Sequence, residues 1–253
     1  DGEKWTLISF QNINTELQKK ELEAWQNLTS VLRHEIMNSI TPISSLVESL
    51  RTILDEDSYV QQEGILIKKE GFLDMQEGLD TIANRSKGLV NFVNAYRDYT
   101  NIPAPSKELI AVDSLIENVC QLMKEELKSK NISLQKTIHP PQLEIGCDPD
   151  QITMILINLI KNAIESLQNQ ADRQIHIRAI GQGDLGSLIQ IEDNGPGIVP
   201  EALERIFVPF YTTKKTGSGI GLAISRQIMN LHRGSLTVES EPDQRTLFSL
   251  NFR

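Results

Sequence analysis

Two long apolar repeats constrain the first hundred residues more than any other feature of this sequence. From about Ile13 to Leu54, apolar side chains recur every three or four residues, which is the spacing of one face of an α-helix. A second repeat alternates steps of three and four residues and is typical of a coiled-coil seam: Phe72, Met75, Leu79, Ile82, Ser86, Leu89, Val93 and Tyr96. Because two helices alone cannot bury both stripes, the repeats predict a helical hairpin at residues 13–100 that dimerises into an antiparallel four-helix bundle.

Two interruptions shape the predicted hairpin. Pro42 lies inside the first helix and lacks the N–H that would bond the carbonyl of Asn38. We therefore expect a kink at Pro42, or alternatively the end of one helix and the start of another. The acidic segment from Asp55 to Glu63 loses the apolar periodicity and is predicted to be the turn region.

A proline-rich linker at residues 101–106 marks the clearest domain boundary. Beyond it we predict helices near residues 112–128, 149–169 and 220–231. Strands are predicted near residues 132–137, 143–147, 174–180 and 187–192, and two closing strands end at Phe252. Helices layered on a mostly antiparallel sheet predict an α/β sandwich at residues 107–253, so the whole chain is of the α+β class.

Composition and charge narrow the class of protein. Of the 253 residues, 39% are hydrophobic and 23% are charged, and the formal net charge is −9. This acidity argues against a nucleic acid or an anionic membrane as a partner. Only Cys120 and Cys147 are cysteines, too few for a disulfide framework or a zinc site, which favours a reducing cytoplasm. Since the chain starts at Asp1 and has no signal peptide or apolar run of membrane-spanning length, we interpret it as a fragment of a longer protein, with the cytoplasmic part of a membrane-anchored protein as one alternative.

The first helix carries a small chemical cluster. His34 and Asn38 lie one turn apart on one face, and Glu35 is adjacent to the imidazole. A neutral imidazole can act as a nucleophile, and a carboxylate that accepts its other N–H strengthens it. Asn38 could orient a water molecule. An ordinary exposed or packed helical histidine is the alternative interpretation.

Three further motifs lie in the second half of the chain. Asn158, Asn162 and Glu165 share one helical face, with Lys161 alongside, and amide oxygens are suitable ligands for Mg²⁺. Residues 192–197 (EDNGPG) follow a predicted strand, where a carboxylate can accept an exocyclic amine and glycines let the backbone approach a planar ring. Residues 217–222 (GSGIGL) open a helix, whose amides can cradle phosphate.

Each motif also has an ordinary interpretation: a polar helix face, an Asn-Gly turn and a flexible loop. The glycine-rich loop could belong to a dinucleotide-binding fold, but that fold requires a preceding strand in a parallel βαβ unit. Here residues 205–215 (RIFVPFYTTKK) precede it, and they are predicted to form a hinged lid.

In this order, the motifs resemble the catalytic core of a sensor histidine kinase, whose nucleotide domain is shared with gyrase, chaperone and mismatch-repair ATPases. His34-Glu35 matches the phosphoacceptor box, and Asn158 and Asn162 match the Asn box. Residues 193–197, 207–210 and 217–221 match the adenine, Phe and phosphate boxes. In sequence, the nitrogen-regulation branch of the family is the most similar at three segments: HEIMNSITPI, NLIKNAIES and FVPFYTTK. Two residues differ from that branch, because Ser39 replaces a usual Pro and Arg245 replaces a usual Gly.

The resemblance implies roles for individual residues. Asp193 would receive the adenine amine, Asn162 would ligate Mg²⁺, and His34, Glu35 and Asn38 would be the catalytic group. The implied nucleotide-binding set is Asn158, Lys161, Asn162, Asp193, Gly195, Gly197, Phe207, Thr213, Lys214, Gly217, Ser218, Gly219, Ile220, Gly221, Leu222 and Thr246. Residues 1–12 are similar to the end of a PAS-type sensor domain. Of the other histidines, His139 is expected in a loop, His176 facing outward on a strand, and His232 at a helix end where a positive charge suits the dipole.

The function implied by the resemblance is autophosphorylation of His34 by ATP–Mg²⁺ in a homodimer, followed by transfer to an aspartate in the receiver domain of a response regulator. Dephosphorylation of that regulator would use Asn38. Two rivals remain. A hydrolysing ATPase would carry a carboxylate one turn before the Mg²⁺ ligand, where this chain has Asn158, a poor base. A dimeric pseudokinase scaffold would lack ATP binding.

Overall fold

The structure, a computed structural model, describes residues 13–61, 64–183, 186–214, 217 and 219–253. It divides into two compact units, one ending at Val93 and the other covering Asn94–Arg253. The predicted sensor-domain end at residues 1–12 lies outside the described residues. Within the described ranges, no helix combines the length and apolar character that a bilayer span requires.

Two long helices form the helical hairpin, as the apolar repeats predict. Helix α1 (Ile13–Asp57) contains 45 residues and continues through Pro42, and helix α2 (Lys69–Thr100) contains 32. The alternative in which Pro42 separates two helices is therefore wrong. A helix tolerates an internal proline when packing of its apolar face outweighs the single lost hydrogen bond.

The connection between α1 and α2 differs from the prediction. Strands β1 (Ser58–Gln61) and β2 (Gly64–Ile67) pair antiparallel, with Tyr59 opposite Leu66, so the turn region predicted at residues 55–63 includes the end of α1 and a strand that the sequence analysis did not predict. Aromatic and β-branched residues in this short segment favour strands. The Nζ of Lys68 donates to the Asp57 carboxylate at 2.5 Å and joins the two ends of the connection.

Glycines allow α1 and α2 to approach each other closely. Gly71 and Gly78, one heptad apart, are buried. A Cβ on Gly78 would lie 3.0 Å from Leu50, and one on Gly71 would lie 2.9 Å from the Asp57 carboxylate. The helices therefore meet along this glycine side of α2.

Two other sets of apolar side chains at heptad positions are exposed in the part of the hairpin that the structure describes. Each of the six side chains is between 42% and 56% exposed: Ile40, Val47 and Leu54 on α1, and Phe72, Leu79 and Val93 on α2. Regular seven-residue spacing of exposed apolar side chains is the pattern of a bundle seam.

The second unit has the predicted layered architecture. Its strands are β3 (Glu108–Ala111), β4 (Ser133–His139), β5 (Glu144–Cys147), β6 (Gln174–Gly181), β7 (Ser187–Asp193), β8 (Ser235–Glu241) and β9 (Arg245–Phe252). Its helices are α3 (Val112–Ser129), α4 (Pro149–Ser166), α5 (Pro200–Leu203) and α6 (Gly221–Leu231), and a 3₁₀ turn covers Leu167–Asn169. The main sheet has the order β4-β6-β7-β9-β8, in which only the β4–β6 pair is parallel, while β3 pairs with β5.

Three local differences from the sequence prediction occur in this unit. Strand β3 and helix α5 are only four residues each and carry no periodicity that could reveal them. His139 ends strand β4 and does not lie in a loop.

Helix α4 shows how the core orients the polar residues. Its buried apolar side chains recur at helical spacing and belong to the core: Ile152, Ile155, Leu156, Leu159, Ile160, Ala163 and Ile164. The Asp148 side chain caps this helix by accepting from the N–H of Gln151 at 3.1 Å, and Pro149 follows it. Because one face is fixed in the core, Asn158, Asn162 and Glu165 lie on the other.

The linker is fixed to the start of α4 and the end of α6. The Ser106 N–H donates to the Asp148 carboxylate at 2.8 Å, and Lys107 Nζ donates to the carbonyl of His232 at 2.9 Å. His232 is buried; its Nε2 accepts from the Asp148 N–H at 3.0 Å, and its Nδ1 donates to the carbonyl of Ile228 at 2.8 Å. An imidazole that accepts at one nitrogen is neutral, so the prediction of a charged His232 is wrong.

Candidate functional site

A cavity of about 740 Å³ lies at the end of the second unit where the polar motifs converge. Most of its wall comes from α4, the loop after β7, residues 198–214, Gly217 and the start of α6. The residues that line it are Lys130, Asn158, Lys161, Asn162, Glu165, Ser166, Gln168, Asp193, Gly197, Ile198, Ala202, Ile206, Tyr211, Thr212, Thr213, Lys214, Gly217, Gly219, Gly221, Leu222, Thr246 and Phe248.

Asp193 is the buried anion of this cavity. It ends strand β7, opposite Thr246 on β9, and its residue is only 5% exposed. Its Oδ1 accepts from the N–H of Gly195 at 3.0 Å and from the Ser166 hydroxyl at 3.0 Å. Burial raises the pKa of the Asp193 carboxyl to about 6, although these two hydrogen bonds favour the ionised form.

Contacts of Asn194 and Gly197 fix the position of the loop after Asp193. The Asn194 Oδ1 accepts from the N–H of Gln174 at 2.8 Å, which fastens the loop to the start of β6. Gly197 has a positive φ of 71°, and a Cβ there would lie 2.5 Å from the carbonyl oxygen of Glu241. Glycine is therefore required at position 197 by both the backbone conformation and the close approach.

Asn162, Glu165 and Lys214 form the charged part of the cavity. The Lys214 ammonium donates to the Asn162 Oδ1 at 2.7 Å and forms an ion pair with Glu165. The Asn162 oxygen therefore faces the cavity and accepts a cationic group, and the neighbouring carboxylate adds negative charge. This oxygen donor set fits Mg²⁺, which needs few protein ligands when phosphates and water supply the rest.

Asn158 connects the two helices that meet at the cavity. Its Nδ2 donates to the Ser225 hydroxyl at 3.0 Å, and Ser225 Oγ donates to the carbonyl of Gly221 at 2.8 Å. A Cβ on Gly221 would lie 2.2 Å from the Asn158 Oδ1. Asn158 thus holds the first turn of α6 against α4.

The glycine-rich loop supplies the N-terminus of α6. Gly219 has a φ of +68°, and a Cβ there would lie 2.5 Å from the backbone of Phe210, whose N–H donates to the Gly219 carbonyl at 2.9 Å. Gly217, Gly219, Gly221 and Leu222 line the cavity, where a helix N-terminus favours anions. Ser218 lies outside the described residues.

Three residues of the implied nucleotide set do not reach the wall of this cavity within the described part of the chain. Phe207 packs on the core with the Arg226 guanidinium 5.1 Å from its ring centre, and Ile220 is buried in the core. Gly195 contacts Asp193 instead. The lid side chains Thr213 and Lys214 do line the cavity.

The residues predicted to form the phosphoacceptor site belong to the other unit. The backbones of His34 and Glu35 lie in α1, but their side chains are outside the described residues. Asn38 lies one turn further along α1 and is exposed.

Several site residues are absent from the sequence-based set. Ser166 continues the spacing of Asn158 and Asn162 by one more turn, which is the signal that could have identified it. Ile198, Ile206 and Phe248 form apolar wall, but isolated apolar residues in a sequence do not reveal which cavity they line.

Comparisons with known proteins agree with this geometry. Residues 147–253 match the family described as "Histidine kinase-, DNA gyrase B-, and HSP90-like ATPase". The chain is 29% identical to the sensor histidine kinase ZraS of Escherichia coli K12 over 96% of this chain and 49% of that protein. It is 28% identical to a putative NtrY-like sensor histidine kinase of Rickettsia prowazekii over 90% of this chain and 36% of that protein. The chain thus spans less than half the length of these curated relatives.

Solved structures extend the comparison. The catalytic domain of histidine kinase ThkA is 30% identical, has a TM-score of 0.53, and is matched over 95% of its length by 58% of this chain. ThkA in complex with the response regulator protein TrrA matches the fold of 92% of this chain and 63% of that one, with a TM-score of 0.64 at 24% identity. The chain belongs to the histidine kinase family, and it carries the catalytic core of a sensor histidine kinase with an ATP-binding second unit.

Proposed function

We propose that this chain is the part of a two-component sensor kinase that phosphorylates itself on His34 and passes the phosphoryl group to an aspartate of a response regulator. It would thus be an ATP:protein-L-histidine phosphotransferase. The supporting observation is the cavity in which Asp193, Asn162 and the glycine-rich start of α6 converge. A nucleoside triphosphate with Mg²⁺ fits a buried carboxylate, an amide oxygen and a helix N-terminus in one cavity.

ATP would lie along this cavity, and different residues would bind its adenine and its phosphates. The Asp193 carboxylate accepts the adenine amine, and the backbone amides at the start of α6 bind the phosphates. Thr246, opposite Asp193, lies beside the adenine. Asn162 would hold Mg²⁺, which neutralises phosphate charge when bound. Lys161 and Lys214 add positive charge at the same end.

The transfer step needs an acceptor that is a nucleophile at neutral pH. A ring nitrogen of His34 attacks the γ-phosphorus, the new N–P bond forms as the bond to the bridging oxygen breaks, and ADP leaves with that electron pair. Glu35 accepts the other ring N–H and stabilises the imidazolium-like charge. The response regulator's aspartate then takes the phosphoryl group, and His34 is restored.

The hydrolysing ATPase is the weaker alternative. Water attack would need a base one turn before Asn162, and the residue there, Asn158, is an amide already bonded to Ser225. ATP binding separates the kinase from a pseudokinase scaffold, and the complete cavity favours binding.

A homodimer is the assembly that fits the hairpin. The exposed heptad stripes of α1 and α2 would bury against the same stripes of a second copy and complete a four-helix bundle. The receiver domain of a response regulator is the proposed second partner, since ThkA was solved with a response regulator. We place the chain in the cytoplasm, as part of a longer protein whose upstream sensor domain ends at residues 1–12.

Phosphatase activity is proposed for Asn38. It is exposed on α1, one turn beyond His34, and its amide can both donate to and accept from a water molecule. Because an aspartyl phosphate is already activated, positioning of the water can accelerate its hydrolysis without a strong base.

A labelling experiment tests the proposal. With γ-labelled ATP and Mg²⁺, the protein should gain label that is lost in acid and kept in base, as phosphohistidine is. His34→Gln should lose the label and keep its ATP affinity, whereas His139→Gln should behave as wild type. Asn38→Ala should keep the label and lose most phospho-regulator hydrolysis. Equal labelling of His34→Gln would overturn the assignment of the acceptor.

A further inference from the structure

The last residue of α4, Ser166, contacts the carboxylate that we propose as the adenine acceptor. From this contact we infer that Ser166 is a positioning residue, whose hydroxyl holds Asp193 ionised and oriented toward the adenine amine. The inference rests on the proposed function and adds to it a residue that determines how the base is recognised. Ser166 Oγ lies 3.0 Å from the Asp193 Oδ1.

The two donors to Asp193 act on the same oxygen. Ser166 and the Gly195 N–H both reach Oδ1, at 3.0 Å each. Among the described residues no hydrogen bond ends on Oδ2, so this oxygen is available to accept from a ligand. Since Asp193 also lines the cavity, the two bonds hold one carboxylate oxygen in place and leave the other to accept from a ligand.

Gly195 provides an independent indication that this contact is built into the site. A Cβ at position 195 would lie 2.5 Å from the Asp193 Oδ1 and 2.8 Å from the Ser166 Oγ. Any side chain there would separate the hydroxyl from the carboxylate. The glycine is thus explained by the Ser166–Asp193 pair, because its φ is not among the positive ones.

Two acceptors lie within hydrogen-bond distance of the Ser166 hydroxyl. Its single hydrogen can be donated to the Asp193 Oδ1 or to the carbonyl of Ala163 at 2.8 Å. A bond to an ionised carboxylate is about twice as strong as one to a neutral acceptor, so Ser166 favours the charged form of Asp193. Burial opposes it and raises the pKa of this carboxyl to about 6, which leaves the ionisation of Asp193 sensitive to the loss of one donor.

Other charged groups near the carboxylate come from several elements. On the strands, Glu192 precedes Asp193 and is paired with Arg178. In the cavity, Glu165 is paired with Lys214, and the remaining charges are Lys130 and Lys161. His176 on β6 lies opposite Glu192 and contacts the Thr137 hydroxyl at 3.0 Å. A pH effect from any of these groups would persist when Asp193 is replaced, which provides the control.

The experiment measures ionisation and affinity separately on the full chain. Carboxyl-carbon NMR of the protein labelled at aspartate follows the Asp193 titration without nucleotide, with the resonance assigned by its absence in Asp193→Asn. Calorimetry then gives ATP affinity from pH 5 to 8. In wild type, affinity should fall as pH decreases through about 6, because protonation removes the charged acceptor. Asp193→Asn should lack this step.

Ser166→Ala should titrate at higher pH than wild type and bind ATP about tenfold more weakly at pH 7, with part of the loss recovered at pH 8. Ser166→Thr keeps the hydroxyl and should restore the wild-type titration. An unchanged Asp193 midpoint in Ser166→Ala would overturn the inference. A midpoint that moves while affinity stays constant with pH would overturn adenine recognition by Asp193. Failure of wild type to bind ATP at all would overturn the proposed function itself.

Discussion

The two units of this chain differ in how they bury their apolar side chains. In the ATP-binding unit, the three long helices and the sheet enclose a core within one chain. Among the described side chains, every buried apolar one lies between Val112 and Phe252. Among the described residues of the hairpin only Gly71 and Gly78 are buried, while apolar side chains at heptad positions remain exposed. The cavity is therefore enclosed within one chain, whereas we propose that α1, which carries His34, needs a second copy to bury its apolar side chains.

The sharpest test of this difference is a charge in the exposed seam of the hairpin. Leu79→Asp should raise the dissociation constant of the dimer at least about 100-fold, because each copy would bury an unpaired carboxylate at the symmetric contact. ATP affinity should be unchanged, since Leu79 lies outside the ATP-binding unit. Sedimentation equilibrium and calorimetry measure the two quantities on the same sample.

Asn84→Asp is the matched control for that substitution. Asn84 is an exposed residue of α2 outside the heptad positions of Leu79, so the same new charge should leave the dimer intact. If Leu79→Asp and Asn84→Asp had equal dissociation constants, the seam would not be the dimer contact.

The next test concerns Asp193, the buried carboxylate of the ATP-binding unit. Asp193→Asn should weaken ATP binding by about 10- to 100-fold and reduce discrimination against GTP, because an amide can donate as well as accept. The same change should stabilise the nucleotide-free protein at pH 7. The folded pKa of about 6 lies above the ordinary 3.8, so the favourable contribution of protonated Asp193 is present below pH 3.8 and is lost as pH rises to about 6.

At pH 7 this loss amounts to at most about 3 kcal/mol, which is the gain expected for Asp193→Asn in the free energy of unfolding. Thermal melts at pH 4 and pH 7 would measure it. The difference between variant and wild type should be large at pH 7 and small at pH 4. A lower melting temperature for the variant at pH 7 would contradict the prediction.

The length and periodicity of an element decided whether the sequence could predict it. Long periodic elements were correct, because α1, α2 and α4 each follow a repeated apolar pattern. Of the five described elements that have four residues each, β1, β2, β3 and α5 were missed and only β5 was predicted, since so short a segment shows little periodicity. The sequence analysis assigned the Asn, adenine and phosphate boxes to one nucleotide site. Asn162, Asp193 and Gly219, one residue from each box, do line the same cavity.

Contacts between distant segments escaped the sequence analysis. The pairing of Lys214 with Asn162 and Glu165, and of Ser166 with Asp193, depends on where loops lie in space. The neutral state of His232 is likewise set by the Asp148 N–H, which is 84 residues away. No local pattern encodes these neighbours, so residue type alone gave the wrong charge for His232.

A smaller effect is expected where α1 and α2 meet. Gly78→Val should destabilise the hairpin by about 1–3 kcal/mol, because its Cβ alone already lies 3.0 Å from Leu50. Gly88→Ala should instead stabilise it by about 1 kcal/mol, since nothing lies within 4 Å and alanine favours the helix. Urea unfolding followed by circular dichroism measures both. Equal effects at the two glycines would show that α1 and α2 are not in close contact at Gly78.

The smallest expected effect concerns Lys214, the lid residue that contacts the proposed magnesium ligand Asn162. The Lys214 ammonium contacts the Asn162 Oδ1 and Glu165, and the paired side chains are 40% and 47% exposed. An ion pair this exposed contributes at most about 1 kcal/mol, so Lys214→Ala should change ATP affinity at saturating Mg²⁺ by no more than about fivefold. Because the ammonium competes for the ligand oxygen, the variant should need less Mg²⁺ for half-maximal ATP binding.

Lys214→Arg keeps the charge and should keep the wild-type Mg²⁺ requirement, which makes it the control for loss of the lid side chain. Calorimetric titration of ATP at a series of Mg²⁺ concentrations separates the two quantities. If Lys214→Ala needed more Mg²⁺ than wild type, the ammonium would assist the bound nucleotide and would not compete for Asn162. In that case the contact seen between the lid and α4 would be a resting position without influence on metal binding, and the lid would act through the phosphates alone.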